Sequence, residues 1–228
     1  MLDFIFYVWQ NIGMRSYGQH CAVAKALDVI GDRWTLLIVR ELMIRDGCRY
    51  TDLRNGLPGI ATNLLAERLA EMEAAGLLER EAARPPVATT LFRLTARGRE
   101  LEPVIAALGI WGAPLLPRKP DKAGFRDHWI ALPIRLYLRD RHPEREPIRI
   151  SIRCGDEWLT LATLGDGSVE VRSGSTNSPH LKLEGNPQMI LSVLLGKTQI
   201  AIAEGEGLNI AGDVGILQRF RPVPAIAG

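Results

Sequence analysis

The chain has 228 residues, 46% of them apolar, with 28 lysines and arginines against 26 acidic residues, which leaves a net charge of +2. That is enough chain and apolar surface for two modest cores, and the near balance excludes a broadly polybasic protein, so any basic site is local. The small surplus falls within residues 1–120, and three widely spaced cysteines, Cys21, Cys48 and Cys154, argue against a disulfide framework and a zinc site and for a cytoplasmic location.

Residues 1–13, MLDFIFYVWQNIG, hold an apolar run too short to span a bilayer and lack the basic flank and cleavage site of a signal peptide. They read as a start-site extension ahead of Met14-Arg15, or alternatively as a dimer or membrane contact. Cys21 to Ile30 carries Val23, Ala26, Leu27 and Ile30 on one face of a helix that stops at Gly31. Asp32 is placed to cap a second, core helix from Arg33 to about Met43. Cys21 has two readings. The helix start and His20 could lower its pKa and make it a redox sensor, or it is a small capping or packing residue.

Tyr50 to Arg54 has room for one short helix, and Gly56-Leu57-Pro58-Gly59 is turn chemistry. Leu65, Leu69 and Met72 then stand at i, i+4 and i+7, with Thr62 as the expected N-cap and Gly76 as the stop. Helix, tight turn, helix is the layout whose second helix enters the major groove. Only the N-terminal turns of such a helix can approach bases. The candidates for DNA contact are therefore Thr62, Asn63, Ala66, Glu67 and Arg68, with Thr51 from the preceding helix. Asn63 suits adenine, and a carboxylate can accept from cytosine. Two extended runs follow, Leu77 to Ala83 and Thr89 to Leu94, with Arg84-Pro85-Pro86-Val87 at the tip of the expected hairpin. Arg80, Arg84 and Arg93 on this wing would suit phosphates or a narrow minor groove, or are solvated surface residues. Ala96 to Trp111 reads as one more helix. Its stripe Leu101, Val104, Leu108 and Trp111 has little local core to cover, which marks it as a dimer seam.

The words from Cys21 through Asp32-Arg33-Trp34-Thr35 to Ile38, then Arg49 to Arg80, then Phe92-Arg93-Leu94-Thr95 and Gly98, resemble the HxlR family of bacterial winged-helix transcriptional regulators. The resemblance covers roughly residues 18–112. It implies a homodimer on a two-fold, double-stranded operator, the same dimer seam, and, as in some members, an oxidant-sensing cysteine near position 21.

Pro114, Pro117 and Pro120 with intervening basic residues cannot be continuous helix or sheet, so residues 114–123 are expected to be a linker between a domain at 14–113 and another at 124–228. Phe125 to Arg139 reads as an apolar helix kinked at Pro133. Short strands are expected at Ile148–Arg153, Trp158–Leu164, Val169–Arg172 and His180–Leu183, separated by glycines in the manner of an antiparallel meander. Pro187 to Leu195, PQMILSVLL, is apolar nearly all round, so it is either fully buried or lines a cavity. The run HLKLEGNPQMILSVLLGKTQIAIAEGEGLNIAGDVGILQRF resembles the sterol carrier protein fold over about residues 124–222, departing from it at Ser178-Pro179-His180. This likeness implies an apolar tunnel for a lipid-like molecule, with Trp129, Ile130, Ile134, Met189, Ile190, Val193, Leu194 and Ile200 as its expected lining.

No Ser/His/Asp set, phosphate-cradling glycine loop or metal-ligand cluster is present in the sequence, and no two of the four histidines lie within i+4. Neither catalysis nor a cofactor is expected. The expected fold is a mainly α winged-helix DNA-binding domain followed by an α+β sterol-carrier-like domain. The expected function is that of a dimeric transcription regulator whose C-terminal domain senses a hydrophobic ligand. Two alternatives stand beside it: a lipid carrier that uses the winged helix for dimerisation, and a cysteine-based redox-sensing repressor.

Overall fold

The computed structural model describes residues 16–45, 47–82, 89–116 and 125–223. Two compact units divide the chain, one comprising residues 1–43 and 47–105, the other residues 44–46 and 106–228. In sequence the division falls after Ile105, inside a helix and ahead of the Pro-rich stretch.

In the first unit α1 (Ala22–Ile30) and α2 (Thr35–Ile44) precede α3 (Tyr50–Gly56) and α4 (Thr62–Ala74). β1 (Leu78–Ala82) and β2 (Thr90–Leu94) pair antiparallel with Leu78 opposite Leu94 and Ala82 opposite Thr90. Ile38, Val39, Leu42, Leu53, Leu57, Leu65, Leu69 and Met72 are buried and form the core that the helical periodicity called for. Asp32 does not cap α2 with its side chain. The helix opens two residues later than the sequence implies, with the amides of Trp34 and Thr35 donating to the Asp32 carbonyl at 3.0 and 3.2 Å. The expected helix from Ala96 to Trp111 is broken in two, α5 (Ala96–Arg99) and α6 (Glu102–Gly112), with Pro103 in the first turn of the second piece, where its missing N–H is harmless. Thr95 caps α5 by accepting from the Gly98 amide at 3.1 Å, and a Cβ on Gly98 would collide with the Leu77 carbonyl. The Thr95 and Gly98 positions thus serve the seam between wing and helix.

In the second unit a 3₁₀ turn at Asp127–Ile130 leads into α7 (Ala131–Tyr137), which is shorter than the helix expected over Phe125 to Arg139. Pro133 falls in its first turn rather than at a kink, and the chain becomes strand β3 at Leu138–Asp140. Strands β4 (Arg149–Cys154), β5 (Glu157–Thr163) and β6 (Val169–Ser173) form the expected meander. β7 (Leu181–Glu184) departs from it, running parallel to β4 with Ile150 opposite Leu181. After α8 (Pro187–Leu194) and α9 (Ile200–Gly205), β8 (Asn209–Gly212) joins β7 antiparallel, so the sheet order is β6-β5-β4-β7-β8. A 3₁₀ segment at Val214–Arg219 follows, and β9 (Phe220–Pro222) pairs with β3. Alternate residues of the sheet, among them Ile150, Ile152, Leu159, Leu161, Leu181 and Leu183, are buried against Ile134, Ile190 and Leu194 of the helices. Asp140 and Arg219 tie this unit's two ends together through paired contacts at 2.6 and 3.2 Å.

Candidate nucleic-acid interface and ligand cavity

The start of α4 is held from three sides. Its apolar face, Leu65, Leu69 and Met72, is at most 2% exposed. The Tyr50 hydroxyl of α3 donates to the Thr62 carbonyl at 2.6 Å. The turn between α3 and α4 takes Gly59 to a φ of +89°, a conformation natural to glycine. A Cβ on Gly56 would collide with the carboxylate of Glu41, a fully buried acid paired with Arg40 at 2.7 Å. This buried pair was not legible in the sequence, where α2 reads as an apolar core helix.

With that face buried, Thr62, Asn63, Ala66 and Glu67 are exposed together on the opposite side of α4, and Thr51 is exposed on α3. Thr62 is the first helical residue, not the N-cap. Ala61 occupies the cap position and has no capping side chain, so the first amides of α4 are open to an external acceptor. Arg68 does not belong with the outward group. Its guanidinium is engaged by Asp32, by Glu67 at 3.0 Å and by Glu71 at 2.6 Å, and the side chain is 11% exposed. It clamps α4 to the turn between α1 and α2. Arg49 and Arg54 flank α3 and are exposed, two basic groups that the sequence reading left out. On the wing, Arg80 lies over the Phe92 ring at 5.4 Å and pairs with Glu73 at 2.8 Å, and Arg93 pairs with Glu81 at 2.5 Å. Arg84 lies outside the described residues.

A helix-turn-helix with a two-stranded wing and an exposed polar N-terminal turn is built to lie in a DNA groove. Residues 29–120 match the model of the HxlR-like helix-turn-helix family. The HTH-type transcriptional regulator sll1512 of Synechocystis sp. is 33% identical over 103 residues, 45% of this chain and 75% of the relative. The chain belongs to the HxlR-like helix-turn-helix family. A second HTH-type regulator, Mb3122 of Mycobacterium bovis, is 32% identical over 136 residues, covering 60% of this chain and 78% of its own length. Among solved structures the redox regulator HypR in its reduced form is 30% identical, with a TM-score of 0.38, covering 41% of this chain and 92% of that one. Like other HxlR-type proteins, the chain is a DNA-binding transcriptional regulator.

Three further features of this HxlR-type chain are an exposed thiol, an apolar stripe and a cavity. Cys21 sits at the cap position of α1, fully exposed, and the amide groups of Ala24 and Val23 hold its thiol below the ordinary cysteine value. Along α6, Val104, Leu108 and Trp111 are exposed, Trp111 by 73%, and Leu101 is half-buried. In the second unit a cavity of about 770 Å³ is lined by Phe125, Trp129, Pro133 and Tyr137, by Leu191 of α8 and Leu195 just after it, and by Ile110 of α6 and Pro114 just beyond that helix. Of the residues expected to line a tunnel, Trp129 and Ile130 border this space. Ile134, Ile190, Val193 and Leu194 are instead buried in the core, Met189 packs against it, and Ile200 does not reach the cavity. The all-round apolar character of α8 hid which side faces the sheet. Among the described residues no helix is long and apolar enough to cross a membrane.

Proposed function

We propose that the chain is a dimeric regulator whose operator affinity is set by a hydrophobic effector bound in the second unit. The observation that carries this reading is the 770 Å³ cavity, because its wall includes Pro114 just beyond α6 and Ile110 of α6 itself, the helix bearing the exposed stripe Val104, Leu108 and Trp111. A molecule seated there would touch the continuation of the dimer helix. The order of strands and helices from β4 to β9, with α8 closing on Leu194-Leu195-Gly196, supports the sterol-carrier-like reading of this unit. In the first unit, Thr62, Asn63, Ala66 and Glu67 read bases, while Thr51, Arg49, Arg54 and the wing arginines Arg80, Arg84 and Arg93 serve the backbone. Arg68 acts indirectly by fixing α4.

An effector regulates only if it binds the DNA-competent and incompetent arrangements differently, and linkage then requires DNA to change effector affinity by the same factor. Operator fragments selected from random DNA, titrated with and without a lipid extract of the source cells, test this. The expected change is about 5- to 150-fold. Unchanged affinity for the selected operator would remove effector control.

A further inference from the structure

We propose that the cavity takes an amphiphilic carboxylate, with its apolar body among Trp129, Tyr137, Leu191 and Leu195 and its anionic head at Lys197; this rests on the effector reading above. Lys197 is the one charged residue among the described residues that line the cavity. Its place is set by the end of α8. Gly196 turns the chain with a φ of +68°, its amide donates to Val193, and the Lys197 amide donates back to the Ser192 carbonyl at 2.8 Å. This reversal puts an ammonium at the rim of an otherwise apolar hollow. Lys197 is exposed, and no carboxylate among the described residues pairs with it, so what sets it apart is its place on the lining.

The remaining lining explains the other half of the ligand. Phe125 and Trp129 meet edge to face at 5.9 Å, and with Tyr137 they give a wall suited to hydrocarbon or an aromatic ring. The Gln188 amide, also on the lining, can donate to the second oxygen of a carboxylate. The volume lies within the range of about 300 to 1,000 Å³ usual for small-molecule sites. A cationic head would meet Lys197 unfavourably, and a neutral one would gain no charge-assisted contact from it.

Calorimetric titration of the full chain with decanoate, 1-decanol and decylammonium tests the assignment, and 2-naphthoate in a further arm separates an aromatic body from an alkyl one. Decanoate or naphthoate should bind about three- to tenfold more tightly than decanol, with decylammonium weakest. Lys197→Gln should erase the preference for carboxylate while leaving decanol binding in place. Leu191→Trp, which fills the hollow, should weaken all four. Equal affinity for decanoate and decanol in the unaltered chain would overturn the anionic head and leave a hydrophobic site standing. Absence of binding by any of the four would overturn the cavity as an effector site altogether.

Discussion

The residues of α4 divide by what they touch, which gives them separable roles. Asn63 is exposed on the first turn of α4, whereas Arg54 is exposed near the end of α3, and the roles proposed for them are base reading and backbone contact. Asn63→Ala should change which sequence is preferred, losing about 1 to 3 kcal/mol of discrimination, while Arg54→Ala should weaken binding to all duplexes and lower the salt slope by about one unit. Equilibrium binding to selected and random DNA at several salt concentrations distinguishes them; equal losses on both DNAs for Asn63→Ala would remove it from base reading. The cysteines also separate. Burial, with Asp127 and Glu157 adding, pushes the Cys154 thiol up to about 12, while the helix start holds Cys21 down. Iodoacetamide at neutral pH should therefore modify Cys21 in the folded protein and reach Cys48 and Cys154 only after unfolding, as mass spectrometry would read. Uniform labelling would deny Cys21 any special reactivity.

At the scale of elements, α6 has one buried position, Ile105, among exposed and half-buried ones. An apolar stripe of this kind is expected to be covered by a second copy through a two-fold contact. Leu108→Asp should then yield monomers by sedimentation and weaken operator binding; a variant that stayed dimeric would put the contact elsewhere. The same elements show what a sequence can and cannot reveal. α4 was legible because it buries one face and burial leaves a period in the chain, and the wing because two extended runs flank a pair of prolines. The division of α5 from α6 has its signal in Pro103, which suits the first turn of a helix and not the interior of one. The parallel placement of β7 beside β4 left no trace, since alternation along a strand is the same whichever neighbour it has. The role of Arg68 was likewise hidden. Its nearest sequence neighbours, Glu67 and Glu71, were visible, but Asp32 comes from a turn 36 residues away. An apolar cavity was expected, but its lining was misplaced because α8 is apolar both on its core side and where Leu191 borders the cavity.

For the whole molecule, two units mean two stability problems. In the second, burial alone would push the Asp140 carboxyl up, yet Arg219, the His142 amide and Thr163 together hold it below the usual carboxylate range. A carboxyl whose folded value is depressed contributes stability above its ordinary value and loses it as pH falls through the folded value. The second unit should therefore soften in acid first through this pair. Asp140→Asn, which leaves Arg219 without its anion, should cost about 3 kcal/mol near neutral pH, and the gap to the unaltered protein should narrow below pH 4. Thermal unfolding followed across that range checks the sign; a gap that widened in acid would assign the stabilisation to another group.

The pairing of β3 with β9 also has a consequence for synthesis. Leu138 leaves the ribosome long before its partner Pro222, and until then β3 has no mate and the Asp140 carboxylate no arginine. All residues of the first unit precede Ala106, so its chain is complete while translation continues. A nascent chain halted short of Arg219 would thus hold a finished DNA-reading module beside an unclosed effector module, so the order of manufacture places recognition before control.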